Sequence, residues 1–378
     1  MNIEIREVLT KKDLRSFIFL PEKIHKNHVN WVYPIYMDDF IFFNSKKNKA
    51  FDHSETILYL AYKGTELVGR IMGIIEKRYN KINNENDARF AFMETYENKE
   101  VFEALINAVA KWAKQFSCDN LVGPLGFSDK DPQGFLVEGF DKPVVISSNA
   151  NFHYMPQYLS ELGFEPKKNL VVYNIKVPDK LPEFYEAIYK RAMQNGKNLK
   201  IIEFKTKREL KPYIKPVLTL LNETFTNLYA FSPFEDYEMD DFANRYIFIL
   251  DPEFIKVIED GKGNLVAFII AMPDIGDGVR KAKGRMIPFG IFKVLAAQKR
   301  TNMLTLLLGG IKEEYRGKGL DVILGYHTIK TAIKKGFEFI DSHLELEENL
   351  KVRAEMERMG GKVYKRFRIF TKSLESFQ

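Results

Sequence analysis

LTLLLGGIKEEYRGKGLDVILGYHTIKTAI, residues 304–333, decides the fold class. Leu304 to Leu308 is a run of apolar residues, with Thr305 inside it, that reads as a buried strand. Gly309-Gly310-Ile311 and a polar turn, Lys312 to Lys318, follow it. Leu320, Ile323, Leu324, Thr328 and Ala332 then recur at helical spacing. The order is strand, basic glycine-containing turn, helix, with Arg316, Gly317, Lys318 and Gly319 where the helix opens. The first N–H groups of a helix have no internal partner. With the helix dipole they form a site for an anion, and glycines let a phosphate approach the backbone. An ordinary strand-to-helix turn with solvated charges uses the same residues, so the flanking chain has to decide.

Downstream, Phe337 to Leu346 is expected as a strand, Asn349 to Met359 as a helix ending at Gly360-Gly361, and Val363 to Phe370 as a last strand. Upstream, Phe254 to Glu259 and Leu265 to Ala271 read as a hairpin, and Pro273 to Thr301 as irregular. Leu199 to Phe204 is a strand and Lys211 to Leu228 a helix whose start Pro212 and Pro216 complicate. The first half repeats this series. ELVGRIMGII returns as NLVAFIIAM, with Leu67 and Leu265 standing 198 positions apart. LGFEPKKNLVVYNIKV returns as MGGKVYKRFRIFTK, with Gly163 and Gly360 197 apart. Two matches at nearly one offset point to an internal duplication of a mixed α/β unit. The expected organisation is a unit over 1–178, a connecting helix over 179–197, and a second unit over 198–378.

With 378 residues, 45% hydrophobic and 29% charged, the chain has the composition of a soluble globular protein of about two domains. A net charge of +6 suits anionic ligands but is too mild to argue for nucleic acid. One cysteine, Cys118, excludes an intrachain disulfide and a cysteine zinc site; no H-x-x-H or H-E-x-x-H spacing occurs, and no metal is expected. MNIEIREV reads as a strand rather than a signal peptide, and no apolar run approaches the roughly 20 residues of a membrane span. The cytoplasm is the expected location.

The order strand, helix, hairpin, strand, turn and helix, strand, helix, strand resembles the GNAT superfamily of N-acetyltransferases. Arg316, Gly319 and Asp321 fall on the three positions of that family's acyl-CoA signature Q/R-x-x-G-x-G/A; the first two match. Asn349 and Gly360 match a downstream helix that opens with Asn and ends in Gly-Phe, with Gly361 in place of Phe. The resemblance implies two fused GNAT-like domains, each a central mixed, mainly antiparallel sheet flanked by helices. It implies acetyl-CoA or a longer acyl-CoA as co-substrate, held by Leu308, Gly309, Ile311, Arg316, Gly317, Lys318, Gly319, Leu320 and Asn349. Asp321 departs by placing a carboxylate near the pyrophosphate. Met356 stands where many members carry a Tyr that protonates the thiolate; Tyr326, His327 and Tyr364 are the replacement candidates. The first half has Gly123 to Phe140 in place of a phosphate turn and is expected to shape the acceptor site.

Acyl transfer to an amine needs a polarised carbonyl, anchored phosphates, a base for the ammonium and an acid for the thiolate. Glu345, Glu347 and Glu348 are the base candidates, with strand alternation placing Glu345 and Glu347 on one face. His53, Glu55, His153 and Tyr154 are secondary candidates; a lone His is more often structural. Trp31, Tyr33, Tyr36, Phe40, Phe42 and Phe43 either pack a core or line a cleft. RMIPFGIFKVLAAQKR, Arg285 to Arg300, is apolar with basic ends: core packing between the halves, a lid over an acyl chain, or a peripheral membrane contact. The expected function is N-acyl transfer from acyl-CoA or acyl carrier protein to an amine, bulky or lipidic. A Fem-like aminoacyl transferase and a non-catalytic CoA- or ligand-binding pseudoenzyme are the alternatives.

Overall fold

The structure, a computed structural model, describes residues 2–146, 148–181, 183–195, 198–226 and 228–377. Pro182, Gly196 and Lys197 of the connecting segment lie outside the described residues. Strand β1 (Ile3–Glu7) leads into α1 (Lys11–Ile24), which opens with a capping box. Thr10 Oγ1 accepts from the Asp13 N–H and the Asp13 carboxylate accepts from the Thr10 N–H, both at 3.1 Å. Helix α2 (Tyr36–Phe42), the hairpin β2 (Ser54–Lys63) and β3 (Glu66–Glu76), α3 (Lys77–Asn83), β4 (Asp87–Thr95) and α4 (Lys99–Lys114) follow. Then come β5 (Asn120–Gly123), β6 (Phe135–Glu138), α5 (Tyr154–Glu161) and β7 (Glu165–Lys176). Helix α6 (Glu183–Asn195) connects to β8 (Lys200–Glu203), α7 (Lys207–Leu210), α8 (Ile214–Thr224) and α9 (Asp236–Tyr246). The hairpin β9 (Ile255–Glu259) and β10 (Leu265–Pro273), α10 (Gly276–Ala282), α11 (Gly290–Gln298), β11 (Met303–Ile311) and α12 (Leu320–Lys335) come next. Last are β12 (Phe339–Asp341), β13 (Glu345–Leu346), α13 (Leu350–Arg358) and β14 (Lys362–Ser373).

The strands join in one sheet of order β1-β2-β3-β4-β5-β14-β7-β12-β11-β10-β9-β8, with β13 on β7 and β6 on β14. The sheet is mixed and mainly antiparallel, as expected: among the described residues only β4–β5 and β11–β12 pair in parallel. The two flanks have the same pairings in mirror order. At the centre the last strands are exchanged. Strand β14 lies between β5 and β7, and β7 between β14 and β12. Gly163 and Gly360, matched in the sequence, have the same left-handed φ, +80° and +81°, at the ends of α5 and α13. Both helices stop where a residue without Cβ allows the αL turn.

Helix α4 buries Val101, Leu105, Val109 and Trp112 against β3 and β4, the face its period predicts. Two expectations change. Pro273 to Thr301 is two short helices rather than irregular chain, because Gly278 lets them meet: a Cβ there would lie 2.6 Å from the Val294 Cα. The strand expected over Phe337 to Leu346 is broken. The Asp341 carboxylate accepts from the His343 N–H at 2.7 Å, an Asx-type turn, and His343 sits at φ +59°. That turn interrupts the pleat between β12 and β13.

Candidate functional site

Strand β11 keeps β10 beside it along its length but pairs with β12 only over Met303 to Thr305. From Leu306 onward the two neighbours diverge, and a cleft of about 1310 Å³ opens between them. One wall is β11 from Leu306 to Ile311 with Arg316 and Gly317 of the turn. The opposite wall is His343, Leu344, Glu345 and Asn349. The cleft continues into the first half, past Trp31 to Ile35, Phe42, Arg70 and Glu94, and past Asp129 to Gln133 of the loop after β5. It therefore joins the basic turn to the aromatic segment. Trp31, Tyr33 and Phe42 line it, whereas Tyr36 and Phe43 are core and Phe40 is at the surface.

The expected co-substrate residues are partly gathered. Leu308, Gly309, Ile311, Arg316, Gly317 and Asn349 line the cleft. Arg316 folds back on its own strand, Nε donating to the Ile311 carbonyl at 3.2 Å and Nη2 to the Thr224 carbonyl at 3.3 Å. A Cβ on Gly317 would meet open space, so its backbone can be approached. Lys318, Gly319 and Leu320 do not line the cleft. Lys318 Nζ sits 5.0 Å from the Tyr315 ring centroid, Gly319 at φ +83° opens α12 against Ala192, and Leu320 is fully buried. Asn349 caps α13, its side chain accepting from the Val352 N–H at 3.5 Å.

The expected catalytic residues separate. Glu345 faces the cleft, but burial pushes its carboxyl up to about 8, with the charge of Glu355 adding to the effect. It is protonated at neutral pH and poorly placed to take a proton there. Glu347 does not share its face. Strand β13 ends at Leu346, and Glu347 is ion-paired to Arg366 outside the cleft. Tyr326 is also elsewhere: it stacks on Tyr189 of α6 with centroids 4.0 Å apart, within a core. Tyr364 donates to Asp341, and burial with that carboxylate raises its phenol beyond useful acidity. Glu348 pairs with Lys168 at 2.7 Å, His327 with Glu203 at 3.3 Å, and His53 with Glu76. Tyr154 donates to the Thr95 carbonyl at 2.7 Å, and Glu55 pairs with Lys77. His153 precedes α5. None of these lines the cleft.

Two residues were not singled out from the sequence. His343 lines the cleft where β11 and β12 part. Burial lowers its imidazole, Asp341 opposing and Lys365 assisting, so the ring is neutral at pH 7. Among the described residues its ring nitrogens make no hydrogen bond. Asp341 beneath it is fully buried, accepting from the His343 N–H, the Tyr364 hydroxyl and Lys365 Nζ, the last at 3.1 Å. The signal was the Asp-Ser-His triplet, 341–343, an Asx turn read instead as continuous strand. Tyr185 of α6 reaches the cleft beside Gly325, whose Cβ would lie 3.2 Å from the phenol oxygen. Burial, then the Asp321 charge, pushes that phenol up to about 12.

Asp321 lies in the first turn of α12 and lines the cleft. It shares a hydrogen bond with Glu355 of α13, whose carboxyl burial and Asp321 raise well above the usual range. Glu355 therefore keeps its proton at neutral pH.

Over its whole length the chain is similar to known proteins. It is 25% identical over 383 residues to a protein of Caulobacter vibrioides (strain NA1000 / CB15N) named bacterial ceramide synthase, covering 99% of this chain and 98% of that one. It is 22% identical over 376 residues to protein YghO of Escherichia coli (strain K12), covering 98% and 95%. Among solved structures, a tandem GNAT protein from the clavulanic acid biosynthesis pathway matches at a TM-score of 0.57 and 11% identity, over 99% of both chains. No family model matches. With its mirrored flanks, its parting strands and the basic turn at their mouth, the chain has the tandem GNAT-superfamily fold.

Proposed function

We propose that this chain transfers an acyl group from acyl-CoA, or from an acylated carrier protein, to the amine of a long-chain lipid, forming an amide. One observation carries this: a single cleft of about 1310 Å³ runs from the basic turn to the aromatic wall of the first half. That space is far more than an acetyl group and a small amine need. The relative named ceramide synthase supports it, since ceramide is an amide of a long-chain amine. The thioester carbonyl lies along the free edge of β11, and the pyrophosphate at Arg316, Gly317 and the start of α12. The amine nitrogen attacks the carbonyl carbon as the C–S bond breaks. The neutral His343 imidazole takes the proton that the ammonium loses. The departing thiolate takes one from Tyr185, a phenol kept protonated at neutral pH, and the second proton that the nitrogen sheds as the amide forms restores that phenol. Units over 1–178 and 198–378, sharing the cleft, are part of the same proposal.

The test is incubation of the purified protein with acyl-CoA of graded chain length and a long-chain amine. Thiol release is followed colorimetrically and the amide by mass spectrometry. Amide is expected with long-chain acceptors and not with short polar amines. Thiol release without amide, or equal rates on short amines, refutes the lipid reading.

A further inference from the structure

The hairpin of α10 and α11 carries a surface that the cleft does not use. From Arg280 to Arg300 stand seven cations and no acid. Ile287, Phe289 and Phe292 are 70%, 72% and 65% exposed, three large apolar side chains on one turn and the helical start after it. The other face of the hairpin, with Val279, Met286 and Val294, is already buried, so this patch is not core awaiting a neighbour within the chain. Lys281, Lys283, Arg285 and Lys293, all exposed, flank it. Glu22 pairs with Arg285 at 2.9 Å and Asp277 with Lys281 at 2.7 Å. Lys283 and Lys293 make no ion pair among the described residues.

An apolar tip flanked by lysines fits a lipid surface better than a protein, because lysine is depleted from protein interfaces. In a bilayer the apolar side chains enter the acyl region while the cations meet lipid phosphates. The hairpin also supports the cleft. The Tyr36 N–H donates to the Gly284 carbonyl at 3.1 Å, the Arg285 guanidinium lies 5.1 Å from the Tyr36 ring centroid, and Met286 and Val294 share a core with the cleft residues Trp31 and Val32. We propose that this hairpin docks the protein on an anionic bilayer, with Ile287, Phe289 and Phe292 inserted and Lys283 and Lys293 on the phosphates. Resting on the lipid reading of the cleft, docking brings the cleft to its substrate.

Co-sedimentation of the full chain with phosphatidylcholine vesicles, with and without about 30% phosphatidylglycerol, tests this. Binding is expected only with the anionic lipid, weakening at least tenfold as salt rises from about 0.1 to about 0.5 M. The triple variant Ile287→Ser, Phe289→Ser, Phe292→Ser and the double variant Lys283→Glu, Lys293→Glu should each lose tenfold or more at unchanged melting temperature. Absence of vesicle binding, or binding that both variants retain, overturns the proposal. A dimer dissolved by the triple variant, without vesicle binding, assigns the patch to a second copy instead. Binding needs no turnover: docking without amide formation sinks the catalytic reading alone, and amide formation without docking sinks this one alone.

Discussion

Glu345→Gln separates two accounts of the proton that acyl transfer must remove. The Glu345 carboxyl titrates near 4.5 in an unfolded chain and near 8 in the fold, raised by burial and then by Glu355. The fold therefore holds this proton more tightly than the unfolded chain. Stability from the site is full below pH 4.5, declines as the pH climbs, and is gone above the folded value. At roughly 1.4 kcal/mol per pH unit, the loss is about 3 kcal/mol at pH 7 and about 5 kcal/mol at pH 9. A glutamine has nearly the same shape and no such proton, so the variant is spared the loss. Urea unfolding of both proteins at pH 5, 7 and 9 should show the variant's relative advantage growing by those amounts. At pH 7 only about one Glu345 in ten is ionised, so the acid limb of kcat/KM should lie below 6.5, where His343 titrates, and should persist in the variant. An advantage that stays constant from pH 5 to 9 would reveal an ordinary carboxylate and return Glu345 to the role of base.

His343→Gln should lower kcat by about 10²–10⁴ while calorimetric CoA affinity stays within about twofold; a loss under about fivefold would remove the imidazole from the reaction. Gly319→Ala should destabilise more than Gly317→Ala in thermal melts. Both sit at positive φ, a cost of about 1–2 kcal/mol, but only the Gly319 Cβ would meet a neighbour, 2.7 Å from the Ala192 Cβ. Asp321→Ala removes the partner of Glu355 and a charge beside the turn, so CoA binding should tighten several-fold; a lower melting temperature with flat or weaker binding would show that Asp321 anchors the loop instead. Residues 1–178 expressed alone should fail to give a stable monomer, because β14 is then missing between β5 and β7; a sharp two-state monomer melt would contradict the exchange.

The parts legible in the sequence were those with a strong local period or a repeated pattern. The apolar run of β11, the amphipathic α4 and the matched Gly163 and Gly360 belong here, since each follows from packing or backbone rules acting within a few residues. The site was legible only where it rides on that regular structure: Gly309, Arg316 and Gly317 lie where the strand and turn put them. Glu347 leaves the face that alternation assigns it because β13 ends at Leu346 and Arg366 takes its carboxylate, whereas His343, two positions before Glu345, lines the cleft with it. Tyr326 and Tyr364 are held in cores by α6 and by Asp341, partners well away in sequence that no local pattern announces. Glu345 faces the cleft as expected, yet its charge state depends on Glu355, which approaches from a different helix.

The exchange of last strands explains how the two flanks of the sheet come to share one cleft. Were β14 beside β12 and β7 beside β5, each unit would be closed on itself and the central seam would be a contact between finished sheets. With β7 against β12 and β14 against β5, the sheet is continuous through the centre. Strand β7 then carries β13 on the side where β11 has parted from β12, and β14 carries the Tyr364 and Lys365 groups that clamp Asp341. The wall opposite β11, with His343 and Glu345, is thus set by a strand from the first half and locked by the last strand of the second. The aromatic segment and the loop after β5 reach the same space from the first half. The first half of the chain thus supplies the length of the cleft, while the second half supplies the turn and the parting strands.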